Sequence, residues 1–281
     1  VPAAQRIRGA TPTEVWAFNG GVPGPELRYR RGDTLHLDAI NELDTILTVH
    51  WHGIRLPHAM DGVPHLTQPP IAKGNRFTYR FPLKDSGTFW YHPHTHSFEQ
   101  VARGLYGALI VEEARPPAVD RDVAWVLSDM RLDEGGRQVD DFGAVRDFSN
   151  EGRIGNAVLV NGRPAGSGPQ LEVRSGERIR LRLVNTATAR LFVLAFPPEQ
   201  GPTVIALDGH GVAPYVAENG RVVLAPGERV DLILDCLATP GSRIRIMDRW
   251  RQPYMLAEIA CLDASPLRTA APESIPALEP N

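Results

Sequence analysis

The stretch Pro25-Glu26-Leu27-Arg28-Tyr29-Arg30-Arg31-Gly32-Asp33-Thr34-Leu35-His36-Leu37-Asp38-Ala39-Ile40-Asn41 returns later in the chain. It reappears as Pro169-Gln170-Leu171-Glu172-Val173-Arg174-Ser175-Gly176-Glu177-Arg178-Ile179-Arg180-Leu181-Arg182-Leu183-Val184-Asn185, at a constant offset of 144 (169 − 25 and 185 − 41). Self-similarity over such a distance marks a duplicated unit. Each copy alternates apolar and polar residues around a Gly turn, the period-two pattern of half-buried β-strands. Upstream, Asn19-Gly20 is echoed by Asn161-Gly162; downstream, Ala72-x-Gly74-x-Arg76 is echoed by Ala225-x-Gly227-x-Arg229. The offset drifts from 142 to 153 across these matches, as loop insertions require.

Around the first copy, short runs separated by Gly and Pro turns read as strands over Glu14–Asn19, Glu26–Tyr29, Thr34–Asn41, Thr48–His52, Arg76–Pro82, Thr88–His92 and Ala108–Glu112. Strands at this spacing without helical periodicity predict a sandwich or barrel. Ala114-Arg115-Pro116-Pro117-Ala118 reads as a linker, which divides the chain into units at 1–117 and 118–264. Residues 265–281 are rich in Pro, Ala and polar side chains, again linker composition, and they point to a further domain beyond them.

Two of these strands close on histidine: His50-Trp51-His52-Gly53 and His92-Pro93-His94-Thr95-His96. Alternate side chains on a strand share a face, so His50 and His52 pair, as do His92 and His94. A lone H-x-H is a weak signal, and two satisfied or surface histidines are its ordinary reading. The second pair, 40 residues on (92 − 52), reverses that preference. Imidazole suits copper, zinc, iron and nickel; without thiolate or carboxylate beside it, the donor set favours copper. Carrying the offset of 144 onto the first pair lands on Leu194 and Phe196, so the second copy is the same scaffold without the donors.

With 281 residues the chain is long enough for two domains with proper cores, and a formal net charge of −3 leaves no basic footprint for nucleic acid. No apolar run reaches the length of a membrane span. Cys236 and Cys261 stand on strand ends outside any C-x-x-C spacing, and both a disulfide and a pair of buried thiols are open. His36, His58, His65 and His210 read as ordinary surface or satisfied histidines, and His96 as facing solvent or supporting the ligands from behind. Trp51 and Trp90 are expected to alternate away from the ligands into the core.

The sequence resembles the multicopper oxidases, the family of laccases and bacterial copper oxidases. The matching residues are His50-Trp51-His52-Gly53, Asp61-Gly62-Val63-Pro64 with Thr67-Gln68, Gly87-Thr88-Phe89-Trp90-Tyr91-His92-Pro93-His94 and Gly104-Leu105-Tyr106-Gly107. The Asn161-Gly162-Arg163-Pro164 region extends the match into the second unit. The resemblance implies an all-β chain of two tandem cupredoxin-like Greek-key β-sandwich domains. It implies copper as cofactor, with His50 a type-2 ligand and His52, His92 and His94 type-3 ligands, so that type-2 and type-3 sites are partial in this chain. Asp61, eleven residues after His50, takes the place of an acid that supplies protons for dioxygen reduction; the alternative is that it only opens a turn with Gly62.

The family's H-x-x-H-x-H and H-C-H motifs, which bring the remaining cluster ligands and the type-1 copper cysteine from a C-terminal domain, are absent from these 281 residues. The expectation is therefore the N-terminal part of a secreted or periplasmic oxidase. In the parent, dioxygen and a reducing substrate would be partners, together with the missing C-terminal cupredoxin domain from the same or another chain. A homo-oligomer formed through the exposed face is a further expectation. The rival class is a stand-alone copper-binding or scaffold protein of the cell envelope.

Overall fold

A computed structural model describes residues 1–9, 11–272, 274–275 and 277–281. The fold is all-β, two tandem cupredoxin-like sandwiches with short helical turns between strands. In the first, a sheet orders Leu27–Arg30, Gly107–Glu112, Gly87–His92 and His50–His52, and Thr34–Ile40 pairs antiparallel with Arg76–Pro82. In the second, a seven-stranded sheet has Arg121–Met130, Glu177–Asn185 and Arg229–Cys236 at its centre. A five-stranded sheet orders Leu171–Val173, Tyr254–Cys261, Arg243–Asp248, Phe192–Ala195 and Arg221–Leu224.

The sequence repeat is a repeat of pairings. Leu27–Arg30 runs parallel to Gly107–Glu112, and its counterpart Leu171–Val173 runs parallel to Tyr254–Cys261. Thr34–Ile40 meets Arg76–Pro82 antiparallel, as Glu177–Asn185 meets Arg229–Cys236. His50–His52 pairs with Gly87–His92, and Phe192–Ala195 pairs with Arg243–Asp248. The seven strands read from the sequence are all present: Arg76–Pro82 has the same ends, Gly87–His92 and Gly107–Glu112 each begin one residue earlier, and the others are shifted or shortened; Pro2–Gln5, paired with Thr13–Trp16, is an addition.

Alternation explains each core. Leu35, Trp51, Tyr79, Phe81, Phe89 and Leu109 point inward in the first sandwich, and Ile179, Leu181, Leu183, Phe192, Leu232 and Ile246 in the second. A third apolar cluster belongs to both: Val15, Val22, Trp90, Tyr106 and Ile110 pack with Val126, Met130, Leu159 and Val184. Trp51 takes its expected place in the core. Trp90 does not follow its expectation, because it precedes His92 by two residues and stands opposite His52 in the register, so the pleat puts all three on one face.

The polar face of Glu177–Asn185 is also buried, against the first sandwich. Arg180 pairs with Glu113 and Asp231, and Arg182 with Asp122 and Asp231; both arginines have 0% exposed side chains. Desolvation on this scale is tolerated only where guanidinium and carboxylate satisfy each other. Cys236 and Cys261 are both buried and unbridged, the second of the two alternatives. The linker-like segment after Leu262 lies along the surface of both sandwiches: Arg268 pairs with Asp120, Arg178 donates to the carbonyls of Pro272 and Ser274, and the Asn281 amide bonds both backbone groups of Ser86. Glu273 and Pro276 of that segment lie outside the described residues.

Candidate metal centre

The four histidines converge. Antiparallel pairing sets His50 opposite His92 and His52 opposite Trp90, at the end of the sheet where Gly87–His92 stops. The ligating atoms of His50, His52 and His92 all lie within 4.8 Å of one another. His94, two residues beyond the strand, completes the group from outside, its ring centroid 4.3 Å from that of His50 and 5.5 Å from that of His92. It is the exposed member, while His92 is buried.

Hydrogen bonds fix which nitrogen each ring presents. His50 Nδ1 donates to the Asp61 carbonyl at 2.8 Å and His92 Nδ1 to the Pro93 carbonyl at 2.9 Å; since a carbonyl only accepts, each Nε2 is the free lone pair. His52 is turned the other way, its Nδ1 3.3 Å from His92 Nε2. Two imidazole nitrogens bound at about 2.0–2.1 Å to one ion at a tetrahedral angle stand roughly 3.3 Å apart, so this pair has the bite of a single metal ion. The donor set therefore fits a bound transition metal with nitrogen preference.

The surroundings disfavour protonation, which would compete with metal. Burial, with the Arg229 guanidinium and His50 adding to it, lowers His52 to about 4. Burial lowers His92 to about 3, and burial and His50 lower His94. Trp90 stacks on both rings, 4.9 Å from His52 and 4.2 Å from His92 between centroids.

Asp61 lies beside the group and also begins a turn. Its carboxylate Oδ1 stands 3.3 Å from His50 Nδ1. It also opens the turn whose next residue, Gly62, has φ +76° and passes so close to Val49 that a Cβ would lie 2.0 Å from the Val49 carbonyl oxygen. His36, His58, His65, His96 and His210 are all exposed and away from the group, as the sequence reading has them.

The site opens into a cavity of about 520 Å³ whose far wall comes from the second sandwich, through Asp147, Phe148, Arg153, Thr188, Pro226 and Gly227. Sequence reasoning missed this wall. Part of its signal was visible, since Ala225-x-Gly227-x-Arg229 stood out as an echo of the first unit; its chemistry was not, because in the first unit the same motif touches no histidine. Asp141 links Arg131 and Arg153, and Phe142 lies under the guanidiniums of Arg103 and Arg153 at 4.2 and 4.1 Å, which fastens the segment bearing Phe148 over the cavity. Phe98 and Phe148 are exposed at its mouth.

Two cupredoxin-like sandwiches, the first carrying a knot of imidazoles at a strand end, define the cupredoxin class of metal proteins. The multicopper oxidase family matches residues 3–116 and again 129–242. Copper resistance protein A of Pseudomonas syringae pv. tomato is 32% identical over 306 residues, covering 90% of this chain and 49% of that protein. The crystal structure of a multi-copper oxidase from Pseudomonas thermotolerans superposes with a TM-score of 0.89 at 36% identity, over 99% of this chain and 65% of that one. Lac15 from a marine microbial metagenome gives 0.83 at 40% identity, over 100% and 70%. The chain belongs to the multicopper oxidases, and copper is the cofactor of that family. It spans about half the length of the curated relatives it matches. Among the described residues, no helix is long and apolar enough to cross a membrane.

Proposed function

We propose that this chain is the N-terminal part of a multicopper oxidase coupling one-electron oxidation of phenols, amines or metal ions to four-electron reduction of dioxygen to water. The observation that carries the reading is the His52 Nδ1 to His92 Nε2 separation of 3.3 Å, with His50 and His94 against the same pair. His50 would be the type-2 ligand; His52 and His92 would share one type-3 ion and His94 would hold the other. Copper held there supplies redox chemistry toward dioxygen.

The chain's own residues prepare the site. The carbonyls of Asp61 and Pro93 hold the proton on Nδ1 of His50 and His92, which aims Nε2 into the cluster. Trp90 and the turn at Gly227 flank the His52 ring and fix its place, and the Asp61 carboxylate, half-exposed beside His50, passes protons inward from solvent. We assign residues 1–117 to the histidine-bearing domain, 118–264 to a domain without ligands and 265–281 to the connection toward a further cupredoxin domain. That domain, in the same or another chain, would bring the type-1 site and the remaining ligands. By itself this chain is inactive as an oxidase, and the exposed Phe98, Val145 and Phe148 lie where self-association would bury apolar surface. The reading places the protein in the periplasm or outside the cell.

The test is to purify the parent polypeptide with copper and follow oxygen uptake against oxidation of a phenol, an aromatic amine and a metal ion. The expected result is four substrate electrons per dioxygen, lost on replacing His52 or His92, and no uptake with the present chain alone. Uptake that survives those replacements contradicts it. A stand-alone copper-binding role predicts stoichiometric copper on the chain and no turnover from any longer form.

A further inference from the structure

The strand that ends on His92 is gripped by the second sandwich, and Arg229 does the gripping. Its Nε donates to the Thr88 carbonyl at 3.1 Å, Nη1 to the Gly227 carbonyl at 3.0 Å and Asp208 Oδ1 at 3.1 Å, and Nη2 to the Asp208 carbonyl at 2.9 Å. The guanidinium is 4% exposed and lies directly under Gly53, the residue after His52: a Cβ on Gly53 would stand 2.1 Å from Nη2. The same turn carries Gly227 against the far side of the His52 ring, where a Cβ would be 3.3 Å from Cε1 and 3.5 Å from Nε2. His52 is thus confined between Trp90 on its face and the turn of Gly227 at its outer edge.

We propose that Arg229 is a positioning residue contributed by the second domain, which holds the turn at Gly227 and the backbone at Gly53 and Thr88 so that His52 presents Nδ1, not Nε2, to His92. The inference rests on the reading of these histidines as copper ligands. It assigns the domain without ligands a part in the geometry of the centre, beyond spacing. A guanidinium suits the task because its planar fork reaches three carbonyls at once. A lysine keeps the buried charge and cannot reproduce the fork.

The experiment is long-range ¹H–¹⁵N NMR of the imidazoles in the metal-free chain and in Arg229→Lys, followed by Cu(II) titration against a competing chelator. In the native chain His52 is expected to carry its proton on Nδ1, hydrogen-bonded to His92 Nε2. In Arg229→Lys, folded by circular dichroism, that signal is expected to be lost and copper affinity to fall at least tenfold, within the about 10–100-fold range for loss of a ligand's supporting partner. A folded Arg229→Lys with the native tautomer and isotherm overturns the proposal. An Arg229→Lys chain that does not fold also overturns it, since Arg229 is then a folding residue first. A native chain with the expected tautomer and no affinity for copper removes the copper reading and leaves the positioning role of Arg229 standing.

Discussion

The hydroxyl of Thr88 donates to Asp231 Oδ1 at 2.6 Å, joining the ligand-bearing strand of one sandwich to the central sheet of the other. Asp231 also accepts from Arg180 and Arg182, and both its carboxylate and the Thr88 side chain are sealed from water. Removing one partner of such a group leaves charge buried without compensation. Asp231→Ala is expected to lower unfolding free energy by about 3–5 kcal/mol, read from urea denaturation, and to weaken copper binding through the displaced strand. A loss below about 1 kcal/mol would mean that water reaches Arg180 and Arg182.

Gly53 has φ +91° and has Arg229 beneath it. An alanine there meets both an unfavourable backbone region and a guanidinium it cannot displace cheaply. Gly53→Ala is expected to cost at least about 2 kcal/mol and to abolish the His52 Nδ1 to His92 Nε2 contact in the imidazole NMR spectrum. A fully stable variant with that contact intact would show that the guanidinium moves freely.

Asp129 is buried and accepts a hydrogen bond from the Gly155 amide at 2.6 Å; desolvation raises its carboxyl to about 6. The folded state therefore binds the proton more tightly than the unfolded state, whose carboxyl titrates near 3.9. The resulting stabilisation is complete below pH 4 and is lost as pH rises through 6, a change of up to about 3 kcal/mol. Asp129→Asn is expected to flatten this part of the profile. Parallel stability curves for the two proteins between pH 4 and 7 would refute the buried carboxylic acid.

Asp61→Asn keeps the backbone carbonyl that holds His50 and removes the carboxylate beside it. In the parent oxidase, copper content is expected to be unchanged while kcat falls by about 10²-fold or more. Full activity would reduce Asp61 to its role in the turn with Gly62.

The fold was largely legible because duplication doubled every signal: the alternation of Thr34–Ile40 is convincing once Glu177–Asn185 repeats it. His50 and His52 were legible because strand periodicity places them on one face; His94 was legible by its spacing from His92, although it joins the group from the bend after the strand has ended. Trp90 shows the same rule misapplied, since a spacing of two from His92 keeps it on the ligand face. Two features were not legible. Arg180 and Arg182 look like the polar side of an ordinary strand, and only the docking of the other sandwich buries them. Arg229 is separated from His52 by 177 residues (229 − 52), and no local pattern announces that a turn in one domain closes on a ring in the other. Identity and spacing show what each element is; the packing between sandwiches decides which polar faces are wet.

The most direct measurement is X-ray absorption at the copper edge of the metal-loaded chain, compared with His52→Ala and His92→Ala. The account predicts copper bound by imidazole nitrogen in the native protein, with the same loss of tightly bound metal in either variant and no further loss in the double replacement. Copper bound equally well without His52 and His92 would contradict it.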